Sequence, residues 1–126
     1  MAYFLFTKAL FEGRPIELFN EGHMQRDFTY IDDILQGITA ALDHAFPCEV
    51  FNLGNHRAES LHTFVHILEK LTQKKADIRL LPMQEGDMEV TFADIAHSQE
   101  KLNFTPTTSL EEGLTHFVQW YHAYDE

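Results

Sequence analysis

The eight residues Arg26-Asp27-Phe28-Thr29-Tyr30-Ile31-Asp32-Asp33 carry the chain from a side-chain period of two to one of about 3.6 with no linker between. Residues 26–30 read as a short strand with Arg26, Phe28 and Tyr30 on one face. Ile31, Ile34, Leu35, Ile38 and Leu42 then repeat at helical spacing, with Asp32 or Asp33 as the expected cap and Gly37 a weak point inside. A strand that feeds straight into an amphipathic helix calls for a mixed α/β fold. An arginine at the head of that strand, beside aromatic rings, suits a phosphate through its planar fork of donors. It suits a surface ion pair equally well, with Asp27 the nearest partner.

The remaining pattern agrees with a mixed fold. Residues 2–12 read as a helix that is apolar almost all round and stops at Gly13, so something should cover it. Residues 15–19 form an expected strand, followed by a turn at Asn20-Glu21-Gly22. Residues 50–54 are a further expected strand, and 55–59 a loop with Glu59 or Ser60 as helix cap. Leu61, Phe64, Val65, Leu68 and Leu71 mark the next helix. A strand over 77–81 stops at Pro82, and Asp94 caps a helix over 95–102. Thr108-Ser109-Leu110-Glu111 has the spacing of a capping box, ahead of a last amphipathic helix through Leu114, Phe117, Val118 and Tyr121.

At 126 residues, the whole chain is expected to be one domain, 1–126. Nine basic against twenty acidic residues leave a net charge of −11, which argues against a nucleic-acid partner. Cys48 is the lone cysteine, so no disulfide framework or Cys-based zinc site is expected. No apolar run approaches the roughly 20 residues of a membrane span, and residues 1–11 lack the basic start of a signal peptide. No membrane contact and a cytoplasmic location are therefore expected.

His62, His66 and Glu69 share one helix face at spacings compatible with a metal, but a solvated polar face accounts for them and no metal site is expected. The glycines are too dispersed for a dinucleotide loop, and no Gly-x-Ser-x-Gly elbow supports a hydrolase. No catalytic or cofactor-binding residue is assigned. By residue chemistry the chain reads as a module for a small anionic ligand, with Arg26 as anchor and Arg57 and the 84–87 loop adding polar contacts.

A wider set of segments keeps order and spacing along nearly the whole chain. They are Phe6-Thr7-Lys8-Ala9, Gly13-Arg14-Pro15-Ile16, the Arg26–Asp33 motif, Phe51-Asn52-Leu53-Gly54-Asn55, Leu81-Pro82-Met83-Gln84-Glu85-Gly86-Asp87, Phe92-Ala93-Asp94, Leu110-Glu111-Glu112-Gly113 and Phe117-Val118-Gln119-Trp120-Tyr121. Together they resemble the C-terminal third of extended short-chain dehydrogenases of the NAD-dependent epimerase/dehydratase family, bacterial UDP-glucuronate 4-epimerases above all.

The resemblance implies that Arg26 contacts the diphosphate of a UDP-sugar. It implies that Glu17 and Phe19 meet the uracil, by backbone bonds and ring packing, and that Gln84 and Asp87 belong to a loop closing over ribose and phosphate. Many relatives carry an arginine where Gln84 stands. The loop is equally readable as an ordinary turn. The family's NAD loop, catalytic serine or threonine and Tyr-x-x-x-Lys lie ahead of the matched region, and no tyrosine here has a lysine four positions later. The expected role is thus UDP-sugar binding without catalysis by this chain alone, NAD belonging to the full-length family enzyme. The resemblance also implies that the 50–54 strand and the 31–44 helix would pack on a Rossmann domain absent here. Uncovered edges and faces would then favour self-association. Two alternatives stay open: a relict or split module acting only in binding, and part of a related dehydratase or decarboxylase.

Overall fold

The computed structural model describes residues 1–124 and is a mixed α/β fold. Helix α1 (Ala2–Glu12) ends where Gly13 takes the left-handed conformation, and its amide bonds back to the last turn. Strand β1 (Ile16–Leu18) buries Ile16 and Leu18 and turns Glu17 outward, and a short 3-10 turn follows at Asn20–Gly22. Next come β2 (Gln25–Asp27), α2 (Ile31–Asp43), β3 (Ala58–Ser60), α3 (Leu61–Thr72), β4 (Ile78–Leu80), α4 (Ala96–Leu102) and α5 (Leu110–Tyr124). Strands β1 and β4 pair in parallel, placing Glu17 opposite Arg79. Strands β2 and β3 pair antiparallel, placing Arg26 opposite Glu59.

Two apolar clusters form the interior. The first joins Ala9 and Leu10 of α1, Ile16 and Leu18 of β1, Phe64, Val65 and Leu68 of α3, and Leu114 and Val118 of α5. Here α1 finds its cover between α3 and α5, and Phe6 meets Phe64 edge to face at 5.9 Å between ring centres. The second cluster is smaller, with Ile95, Leu102 and Phe104 buried under Ala40, Ala41, Phe46, Phe51 and Leu53.

Helix α2 departs most from its sequence pattern. Its buried residues are Asp33 and Gly37, while Ile31, Leu35, Ile38 and Leu42 are 57%, 49%, 44% and 81% exposed. The helix thus packs on its narrow face and turns its apolar stripe to solvent. Gly37 is what permits this: a Cβ there would come within 2.5 Å of the Leu53 side chain. Neither Asp32 nor Asp33 caps the helix, whose N-cap is Tyr30 with no side-chain bond. Asp33 instead accepts the Thr107 and Thr108 amides at 3.1 and 3.0 Å, which ties α2 to the segment entering α5.

Other boundaries shift for similar tertiary reasons. The expected strand over 26–30 ends at Asp27, because Phe28 turns in to meet Phe64 at 4.5 Å between ring centres. Residues 50–54 form no strand: Val50 is 82% exposed, and no described strand lies beside them. They are held by α4, where the Ser98 hydroxyl donates to the Asn52 carbonyl at 2.6 Å, and by the Asn52 side chain donating to the Asp94 carbonyl at 3.2 Å. Part of the expected 55–59 loop is β3, while Ser60 does cap α3 by accepting the Thr63 amide at 3.1 Å. The cap of α5 lies one residue beyond the expected box, with Ser109 accepting the Glu112 amide at 3.1 Å. No helix among the described residues is long and apolar enough to cross a membrane.

Candidate functional site

Strands β1, β2 and β4 open onto one cavity of about 660 Å³. Its apolar wall comes from Ala2, Leu5, Phe6 and Ala9 of α1, with Met24, Phe28 and Leu61. Its polar groups are Arg14, Glu17, Arg26, Arg79 and Asp87, and Phe19 supplies an aromatic ring just past β1. The strands explain the placement. With Ile16 and Leu18 buried, alternation leaves Glu17 facing out, and the parallel register sets Arg79 next to it.

Arg26 is the best-fixed of these groups. Its guanidinium donates to the Gln25 carbonyl at 2.8 Å, the Glu89 carbonyl at 3.3 Å and the Asp87 carboxylate at 2.7 Å. A guanidinium has five N–H donors, so these three bonds leave two for a ligand. The sequence-level ion pair with Asp27 does not form. Asp27 instead gathers backbone amides from Asn55, His56 and Ala93 at 2.9, 3.0 and 3.0 Å. Asp87 also accepts the Met88 amide at 2.9 Å, so the 84–89 loop is both a turn and a flap pinned to Arg26.

Four of the five expected binding residues, Glu17, Phe19, Arg26 and Asp87, therefore line one cavity. Gln84 does not line it: it is exposed at the start of the turn, where its carbonyl accepts the Asp87 amide at 3.3 Å. Arg57 is also elsewhere, paired with Glu59 at 3.0 Å. Arg14 and Arg79 were not expected in the cavity. Arg79 becomes visible only once β4 is known to lie beside β1. Arg14 donates to Glu12 and holds that carboxyl below its ordinary range.

The His62, His66 and Glu69 face is occupied by structural contacts. His62 meets the Glu21 carbonyl at 3.1 Å, and Glu69 accepts the Ala76 amide at 2.8 Å and has His66 at 3.7 Å. No cluster of three or more His, Cys, Asp or Glu suited to a metal occurs among the described residues. The cavity's guanidinium groups, ring and apolar wall are groups that hold an anionic ligand by charge, hydrogen bonds and stacking.

Comparison with known proteins follows the same outline. Residues 2–54 match the NAD dependent epimerase/dehydratase family. An uncharacterized protein of Methanocaldococcus jannaschii is 45% identical over 96% of this chain and 37% of its own length. A UDP-glucuronate 4-epimerase of Arabidopsis thaliana is 42% identical over 98% of this chain and 32% of its own. A solved UDP-glucuronic acid 4-epimerase of Bacillus cereus, in complex with UDP-glucuronic acid and NAD, superposes with a TM-score of 0.87 at 33% identity, covering 96% of this chain and 40% of that one. The chain spans about a third to two-fifths of the length of these relatives.

Proposed function

We propose, from its relationship to the NAD-dependent epimerase/dehydratase family and its likeness to UDP-glucuronate 4-epimerases, that this chain is the UDP-sugar-binding portion of a nucleotide-sugar 4-epimerase. The observation that supports this reading most is the convergence of Glu17, Phe19, Arg26 and Asp87 on one cavity. The two unspent donors of Arg26 take the diphosphate, and its bonds to Asp87 and Glu89 hold the guanidinium in place for it. Phe19 packs on the uracil, the β1 backbone at Glu17 supplies its hydrogen bonds, and Asp87 carries its loop over the ribose and phosphate.

Catalysis is assigned to the part of the relatives that this chain does not span, and that part would supply NAD and the proton-transfer groups. Residues 1–126 then act as a single substrate-binding region that is not catalytic alone. The outward apolar stripe of α2 supports a second reading, in which the chain self-associates or docks as a binding module.

Calorimetry on the full chain tests the first reading. UDP and UDP-glucuronate should bind weakly, and Arg26→Ala should abolish the signal. Absence of any UDP binding would overturn it. Turnover of UDP-glucuronate by this chain with NAD would overturn the assignment of catalysis elsewhere.

A further inference from the structure

The cavity concentrates positive charge out of proportion to the rest of the molecule. The chain carries a net charge of −11 and only four arginines, yet three of them, Arg14, Arg26 and Arg79, line this one space. Their circumstances differ. Arg14 donates its Nε to Glu12, and Arg26 spends three of its five donors on the Gln25 and Glu89 carbonyls and the Asp87 carboxylate. The Arg79 side chain makes no hydrogen bond or ion pair with any described residue.

Arg79 is nevertheless well placed. Its backbone is fixed in the parallel ladder between β1 and β4, directly opposite Glu17. The Ile16 amide donates to the Asp77 carbonyl at 2.8 Å and the Leu81 amide to the Leu18 carbonyl at 2.9 Å, so the strand is tied on both sides of Arg79. A guanidinium on a fixed strand, with its donors unspent and an apolar wall nearby, breaks no internal contact when it takes up an anion. At Arg14 the adjacent Glu12 carboxylate offsets part of the attraction for an anion.

We propose that Arg79 is a second phosphate contact of this cavity, acting on the same ligand that Arg26 holds. The inference rests on the reading of the cavity as a nucleoside diphosphate site and assigns that site a residue beyond Arg26. Two guanidinium groups reaching the cavity from different strands can meet a diphosphate from two sides. The ligand class is thus a nucleotide with at least one phosphate, rather than a free nucleoside.

The test compares UDP, uridine and inorganic pyrophosphate on the wild-type chain and on Arg79→Gln, with the urea midpoint as a control for folding. Arg79 is exposed, so the midpoint should not move. The expected result is a loss of about tenfold in affinity for UDP and pyrophosphate, shrinking as salt is raised, with uridine unaffected. Equal binding of UDP by Arg79→Gln and wild type would overturn this inference and leave the UDP-sugar reading standing. An equal loss for uridine would overturn the phosphate assignment. Arg79-dependent pyrophosphate binding without any UDP binding would do the reverse, sinking the UDP-sugar reading alone. If wild type binds neither UDP nor pyrophosphate, both fall.

Discussion

Arg26 and Asp87, 61 residues apart in the chain, lie 2.7 Å from each other and both line the cavity. The same guanidinium holds the Glu89 carbonyl, so one side chain fastens the loop that borders the ligand space. Arg26→Ala should therefore free this loop and make its peptide bonds markedly more sensitive to limited proteolysis. Asp87→Asn should have a smaller effect, because the carbonyl contacts remain. Equal cleavage rates in wild type and Arg26→Ala would refute the pinning role.

Asp33 is only 5% exposed, and both its oxygens are engaged by backbone amides, at Thr107 and Thr108. Asp33→Ala strands those donors in a partly buried site. The expected loss is about 3 kcal/mol, read from urea unfolding at neutral pH. A loss below about 1 kcal/mol would mean that the amides find water instead.

Gly54 is buried where a Cβ would approach Ala93 Cβ to 2.4 Å and the Asp27 carboxylate to 2.9 Å. Gly54→Ala should cost about 1–3 kcal/mol through overpacking. The double variant Gly54→Ala with Ala93→Gly should recover part of it. Additive losses would argue against this steric origin.

The Ala76 amide holds the Glu69 carboxyl below its ordinary range, with Lys75 and His66 adding attraction. A lowered folded-state pKa stabilises the fold above the unfolded pKa, and that stabilisation is lost as pH falls through the folded value. Wild type should therefore exceed Glu69→Gln in stability at pH 7, and the two unfolding midpoints should converge below the ordinary carboxylate range. A gap unchanged in acid would show that charge plays no part.

Leu35 and Leu42 are 49% and 81% exposed on α2. Leu35→Lys with Leu42→Lys should leave stability within about 0.5 kcal/mol per site and raise the monomer fraction in sedimentation. Unfolding of the double variant would contradict the outward orientation of this face.

Much of this architecture is legible in sequence where the elements answer to local periodicity. The spacing of Phe64, Val65 and Leu68, the glycine stop at Gly13 and the Ser60 cap all depend on neighbours within one helix. The face that α2 buries is not legible: its apolar stripe predicts burial, yet the Leu53 side chain packs where Gly37 lacks one. Residues 50–54 carry strand chemistry with no strand beside them among the described residues, so α4 claims their polar groups instead. The candidate site divides in the same way. Arg26 is legible from residue chemistry and Glu17 and Phe19 from motif resemblance, whereas Arg79 depends on a parallel pairing that no local signal encodes.

Asp27 and Asp33, both within the motif that turns strand into helix, also divide the work of joining the two apolar clusters. Asp27 sits beside Phe28 of the larger cluster and accepts the amide of Ala93 from the smaller. Asp33 reaches from α2, over the smaller, to the approach of α5 in the larger. The smaller cluster has just three buried residues and is too slight to persist unaided. Two carboxylates therefore contribute to the cooperativity between the two halves. With Asp27→Ala the single denaturation step should broaden into two, with the region around α4 melting first and the apparent m-value falling.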